Sequence, residues 1–171
     1  TCIKNFGIAR ISTTHTKIAD LYEPGIYVVG QGKKRTHVGD KTYEYGAGDF
    51  LAVFLPMPVK KEVIEASPDK PFLIAGLQID QGRLADVLLR IERVEGVLPK
   101  PVTDDSSGIF SAPLGDNLLD PTIRLLETLS NPRDAAVLGE LAMDEIYYHV
   151  LCGERGGDLR ILLQQRGEIH R

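Results

Sequence analysis

The apolar residues of this chain change their spacing near residue 80, and this change limits the possible folds more than any other feature. Up to residue 80, short apolar runs alternate with polar residues and are separated by Gly and Pro. After residue 80, apolar residues recur at steps of three and four. Period two is typical of strands and period 3.6 of helices, so strands come first and helices follow. We therefore predict an α+β chain.

Six short strands are predicted in the first half, over residues 25–32, 35–38, 42–45, 50–55, 59–66 and 72–79. Gly39-Asp40 marks a tight hairpin turn between two of them. Residues 50–55 are apolar on both faces, as in a strand that is covered on both sides. Short strands with regular turn signals favour a sandwich or a small barrel. Gly30, Gly32, Gly39, Gly46 and Gly48 are expected to include several residues at positive φ or in close backbone contact.

Amphipathic helices are predicted in the second half. One follows Asp80, a plausible N-cap, and a second ends at Asn131-Pro132 after a loop over residues 96–115. A third runs from Val137 to Gly153, and a short fourth covers residues 158–165. We expect residues 1–80 to form the β region and residues 81–171 the helical region of one domain.

Composition excludes several classes of protein. With 24 acidic against 20 basic residues the net charge is −4, which argues against general affinity for phosphate backbones. The basic runs at residues 33–35 and 60–61 are interpreted as a solvated hairpin and a protected sheet edge. No apolar run approaches membrane-spanning length, and the first ten residues lack a signal-peptide core. Cys2 and Cys152 are interpreted as reduced thiols of a cytoplasmic protein, and the absence of an initial Met suggests a fragment.

The residues do not fit a metal-dependent cupin enzyme, the first of three kinds of catalytic site considered for a small barrel. A metal-dependent cupin needs a His-x-His pair before its Glu and Gly, but Lys17 and Ala19 stand in that region ahead of Glu23 and Gly30. The four histidines (His15, His37, His149 and His170) are scattered, so no metal site is expected. We also expect no catalytic residue and no cofactor.

Two further motifs fail for physical reasons. Cys152 follows His149 by three residues, but it lies at the end of a predicted helix, where the dipole disfavours a thiolate. The stretch at residues 30–34 resembles a glycine loop with a lysine, yet it leads into a strand and not into a helix. Neither motif predicts an enzyme.

A set of segments, in order and covering nearly the whole chain, resembles the N-terminal arm and sensor domain of AraC-type transcription regulators. These segments are residues 21–35, 38–51, 55–59, 63–73, 138–151 and 159–160. The resemblance implies a cupin-like antiparallel β-barrel that binds a small effector without metal, followed by helices that mediate homodimerisation. It also implies a C-terminal pair of helix-turn-helix motifs, and the chain ends about where the linker to them would begin. DNA binding would then belong to the intact bacterial regulator.

The ligand site is expected near the barrel opening. No motif of the sequence names the ligand. Aromatic faces with one or two fixed charges suit a small polar or mixed ligand. Arg10 and His15 lie in an arm, residues 1–20, that we expect to become ordered over the bound ligand. The helices between Leu84 and Leu129, led by Leu84 and Leu118, are expected to form the dimer. The remaining candidates for ligand binding are Tyr22, Tyr27, His37, Phe54 and Gln78.

The alternative to a sensor is a metal-dependent cupin-type enzyme that acts on a small metabolite such as a sugar. Such an enzyme would carry stoichiometric metal, so a metal assay separates it from a sensor. A third possibility is a solid barrel that contributes only dimerisation. The target operon, and whether the regulator activates or represses, are not encoded in any motif of this chain.

Overall fold

The computed structural model describes residues 3–96, 107–157, 159, 160 and 163. These residues fall into two compact units. The first, called the sheet unit here, contains residues 4–79 and 109–114. The second, called the helical unit, contains residue 3 and the described residues from 80 onward other than 109–114.

The sheet unit is built from antiparallel strands. Their bounds are β1 Phe6–Ile11, β2 His15–Tyr22, β3 Gly25–Gln31, β4 Lys33–Val38, β5 Lys41–Gly46, β6 Asp49–Val53, β7 Met57–Glu65, β8 Phe72–Gln78 and β9 Ile109–Pro113. Five of them form a sheet in the order β1-β8-β3-β6-β9, and four form a second sheet in the order β2-β7-β4-β5.

The expected closed β-barrel is wrong. Among the described residues the strands pair into two separate sheets, and no hydrogen-bonded ladder joins one sheet to the other. β1 and β2 are each paired on one side only, with β8 and β7 respectively. The protein therefore has mostly antiparallel sheets followed by helices, as predicted, but its sheets stay open between these two edge strands.

An apolar core fills the space between the two sheets. Leu51 and Val53 of β6, Phe72 of β8 and Val63 of β7 are almost fully buried in it. Four consecutive residues of β6, from Phe50 to Val53, are buried, which confirms that this strand is covered on both faces.

The six predicted strands are confirmed as β3 to β8, but three strands were missed. β9 lies inside the segment that was predicted as a loop, where it pairs with β6. β1 and β2 occupy most of the expected arm, and their residues are hydrogen-bonded into the two sheets. Gly32, Gly39 and Gly48 have positive φ, as expected for hairpin glycines.

The helical unit contains α1 Gln81–Glu95, α2 Asp116–Thr128, the single turn α3 Pro132–Asp134 and α4 Glu140–Cys152. A π-helical turn, Ala135–Gly139, joins α3 to α4. The Asp80 side chain accepts a hydrogen bond from the Arg83 N–H, which confirms the predicted cap of α1. The predicted fourth helix falls largely outside the described residues. No helix in the described ranges is long and apolar enough to cross a bilayer.

Candidate functional site

A cleft of about 580 Å³ opens in the sheet unit beside the two edge strands. Four consecutive residues of β1 and three of β2 line it, together with side chains from the interior of both sheets. The cleft thus lies where the two sheets fail to join. Its lining consists of Asn5, Phe6, Gly7, Ile8, Ala9, Asp20, Leu21, Tyr22, Glu23, Tyr27, Lys34, Tyr45, Lys61, Ile74, Gly76 and Gln78.

Lys34 places a positive charge at the inner side of this cleft. Only 9% of the residue is exposed, and its Nζ lies 5.2 Å from the centre of the Tyr22 ring. Among the described residues, no carboxylate lies within salt-bridge distance of this Nζ. A largely buried lysine with an aromatic neighbour and no paired carboxylate can bind an anionic ligand.

The expectation that residues 33–35 are all exposed is wrong for Lys34. Side chains alternate along β4, so Lys33 and Arg35 point to the outer face and form ion pairs with Glu44. Lys34 shares the inner face with Thr36, which is fully buried.

Three buried hydroxyl groups form a chain beside Lys34. The Thr36 Oγ1 lies 2.8 Å from the Tyr45 hydroxyl and 3.2 Å from the Tyr22 hydroxyl. Burial and the nearby Tyr22 raise the pKa of Tyr45, so this phenol stays neutral. Three hydroxyl protons serve two mutual hydrogen bonds, and therefore one O–H of the chain is left to donate elsewhere.

An ion pair between Asp20 of β2 and Lys61 of β7 forms another part of the lining. The hydrogen bond from Lys61 lowers the pKa of Asp20, and the Leu21 N–H supports the same carboxylate. This pair neutralises itself, so Lys34 is the cation of the lining that is available to a ligand, while the exposed Glu23 adds one carboxylate.

Tyr27 of β3 completes the aromatic part of the cleft. Its hydroxyl donates to the Glu23 carbonyl at 2.8 Å, and its ring lies 6.0 Å from that of Tyr22. Burial raises the pKa of Tyr27 to about 12. Gly76 faces the ring, where a Cβ would come within 3.1 Å of the Tyr27 Cδ1.

Of the seven ligand-binding candidates, the structure brings Tyr22, Tyr27 and Gln78 together in the cleft. The other four lie elsewhere. Arg10 is exposed on β1, and the His15 Nδ1 lies 2.9 Å from the Thr16 carbonyl oxygen. His37 contacts Glu62 and Thr42 on the outer face. Phe54 is buried with its ring 5.5 Å from that of Phe110.

Sequence reasoning missed Lys34, Thr36 and Tyr45. The available signal was the alternation through residues 33–38, which places every second residue of a basic run on the inner face. For metals, no group of three or more His, Cys, Asp or Glu suited to holding an ion occurs within the described residues.

Comparison with protein families finds one match that covers most of the chain. The model of the AraC-type transcriptional regulator N-terminus matches residues 2–158. A comparison with curated proteins finds no match.

Solved structures of ToxT from Vibrio cholerae are similar in fold. The form bound to (E)-4-(8-methylnaphthalen-1-yl)but-3-enoic acid has TM-score 0.60 and 10% identity, covering 94% of this chain and 60% of that chain. The form bound to an unsaturated fatty acid has TM-score 0.56 and 10% identity, covering 91% and 55%. An apo variant has TM-score 0.58 and 6% identity, covering 88% and 56%. The chain thus spans little more than half the length of these relatives.

Proposed function

The chain belongs to the AraC-type transcriptional regulators, and we propose that it senses a small-molecule effector and conveys its binding to a DNA-binding half. The AraC-type N-terminus is a regulator domain and not an enzyme class, so a catalytic role is not proposed. As a transcription regulator, the protein would work in the bacterial cytoplasm.

The observation that supports a sensor best is the cleft with its partly buried ammonium group. Lys34 supplies the charge, and the hydroxyl chain of Tyr22, Thr36 and Tyr45 supplies at least one further donor. Ala9, Ile74 and the Tyr27 ring, which the strand register places on one face of the sheet, supply apolar surface. Polar groups that converge beside apolar and aromatic surface are typical of a small-molecule site.

The effector class that fits this lining is an acid with an apolar body. Its carboxylate would bind Lys34 and accept from the hydroxyl chain, while its body would lie against the apolar residues. ToxT, which shares the fold, has been crystallised with an unsaturated fatty acid and with an aromatic butenoic acid. These ligands support the proposed class.

The effector would act by favouring one of two states of a homodimer, since a ligand shifts an equilibrium only by its differential affinity. Leu84 and Leu118, which led the predicted interface helices, are buried within the helical unit. The large apolar residues exposed on those helices are Leu89 and Val94 on α1 and Leu119 and Ile123 on α2. We propose that the stripe formed by Leu119 and Ile123 contributes to the dimer.

A thermal-shift titration tests the effector proposal. An unsaturated fatty acid such as oleate is expected to raise the melting temperature of the chain, because a ligand that binds only the folded state stabilises it. Lys34→Met keeps the stem and removes the charge, so we expect affinity to fall roughly ten- to a hundredfold, the worth of a charged hydrogen bond.

Lys60→Met is the matched control, because Lys60 lies on the same sheet and is exposed. This variant should respond to oleate as the unchanged chain does. Methyl oleate, which lacks the carboxylate, should bind the variant and the unchanged chain more weakly than oleate does. Equal responses of the Lys34 and Lys60 variants would contradict the role of Lys34. A metal-dependent enzyme would instead show stoichiometric metal in the purified protein.

A further inference from the structure

Two cavities of the helical unit form one continuous groove between α1 and α4. Their volumes are about 570 and 380 Å³, and they share Val87, Arg90 and Asp144 as lining residues. We call this feature the α1/α4 groove. It lies entirely within the helical unit and is distinct from the cleft of the sheet unit.

The walls of the α1/α4 groove expose large apolar side chains. Val94 is 86% exposed, Leu141 61%, Val137 57% and Tyr148 46%. Val137 and Leu141 are four residues apart, so they lie on one face of the helical segment. Apolar residues along a groove between two helices are typical of a surface that receives an amphipathic helix.

The same groove carries a net negative charge, although Glu140 and Asp144 pair with Arg83, and Glu145 pairs with Arg124 outside the lining. Six carboxylates line it against two guanidinium groups. Arg83 is held by Glu140 at 2.9 Å and by Asp144 at 3.3 Å, which leaves Arg90 as the other cation of the lining. The acidic residues are Asp80, Asp86, Glu95, Glu140, Asp144 and Glu145.

This charge decides between two occupants. A second copy meeting the chain groove to groove would bring two acidic surfaces together, which costs free energy. A helix with apolar residues on one side and Lys or Arg on its flanks would match the apolar walls of the groove. Its basic residues would also pair with the exposed carboxylates Asp86 and Glu95, which we call the rim. DNA-binding segments are basic because they contact phosphate groups.

We propose that the α1/α4 groove docks a basic amphipathic helix of the regulator's DNA-binding half. The inference rests on the proposed function, since it requires that half. Docking occupies basic residues that would otherwise contact phosphate, so the docked state binds DNA more weakly. Because the attraction is largely electrostatic at the rim, docking weakens as salt concentration rises.

Hydrogen exchange on the intact regulator and on the 171-residue chain tests the proposal. We expect amides of residues 87–95 and 137–148 to exchange roughly tenfold more slowly in the intact regulator, which corresponds to about 1.4 kcal/mol. Reversing two rim charges with Asp86→Lys and Glu95→Lys should abolish this protection. The same pair should tighten DNA binding of the intact regulator at low salt.

Asp120→Lys with Glu127→Lys is the matched control, because both residues are exposed on α2 and neither lines the groove. This pair should leave the protection of the groove unchanged. Equal exchange in the two proteins, or protection that survives the rim reversal, would overturn the docking. Protection in the 171-residue chain that grows with concentration would show a second copy as occupant and overturn it too. If neither the intact regulator nor its rim-reversed variant binds DNA, the proposed function fails; if the intact regulator binds DNA without groove protection, only the docking fails.

Discussion

Lys34 is a charged residue on the inner face of a strand, where apolar residues are usual. It lies between two outward-facing basic residues, and its strand neighbour on the inner face is the fully buried Thr36. A basic run is normally solvated, and composition alone cannot distinguish its middle residue from the other two. The pleat makes the distinction, because it sends every second side chain into the interior. The proposed ligand site therefore depends on the register of β4.

Gly32, between β3 and β4, is the position where a methyl group should cost most. Its φ is +81°, and a Cβ would lie 2.5 Å from the Glu65 carbonyl oxygen and 3.0 Å from the Phe72 Cα. Gly32→Ala should lower the free energy of unfolding by more than about 2 kcal/mol, since backbone strain and a backbone clash add. Gly39 also has positive φ, but open space surrounds it, so Gly39→Ala should cost only about 1 kcal/mol. Denaturant unfolding of both variants checks this; equal losses would refute the clash.

Elements were predictable wherever local signals were strong. β3 to β8 follow apolar patterns bounded by turn residues, and α1 begins at a side-chain cap. β1 and β2 were missed because most of their residues are exposed, so burial imposes no alternation on them. β9 has five residues and lies in a segment rich in Gly and Pro, where only its pairing with β6 reveals a strand.

The outer face of the sheet formed by β2, β7, β4 and β5 should make stability depend on pH. Hydrogen bonds from His37 and then Arg35 lower the pKa of Glu62 below its ordinary value of 4.5. A carboxyl whose pKa falls on folding stabilises the fold above its unfolded pKa and loses that effect as pH falls through the folded pKa. Glu62→Gln should therefore be less stable than the unchanged chain at neutral pH, and the difference should vanish in strong acid.

Unfolding curves check this expectation. They are measured from pH 7 down to pH 2 for the unchanged chain, for Glu62→Gln and for Glu65→Gln. Glu65 is an exposed residue of the same strand and serves as the control. A difference for Glu62→Gln that stays constant over the whole range would contradict the role of its ionised form.

The whole molecule shows why a barrel prediction fails while the class of fold succeeds. Period and turn signals predict strands and then helices, but closure depends on whether β1 pairs with β2 and β5 with β9, and no local pattern encodes that. The same limit applies to the cleft. Its polar residues include ones from β2, β3, β4, β5, β7 and β8, which are brought together by long-range pairing. The candidates Tyr22 and Tyr27 lie in the lining of the cleft, whereas the sequence did not show which residues of the other strands would lie beside them.

Homodimerisation is a property of the whole molecule that substitutions on α2 can test. Leu119→Glu with Ile123→Glu places two charges on the exposed stripe and should convert a dimer to a monomer at micromolar concentration, because like charges would meet in the interface. Leu138→Glu, at a residue of the helical unit that is 52% exposed, should leave the mass unchanged. Light scattering decides, and a parent chain that is strictly monomeric would contradict the proposed dimer.

A crystal structure of the chain grown with oleate would test whether the cleft is an effector site for acids. We expect the carboxylate within hydrogen-bond distance of the Lys34 Nζ and of a hydroxyl group of Tyr22 or Tyr45, with the alkyl chain along Ala9 and Ile74. Oleate bound outside the cleft, or an empty cleft at saturating oleate, would contradict the proposed function.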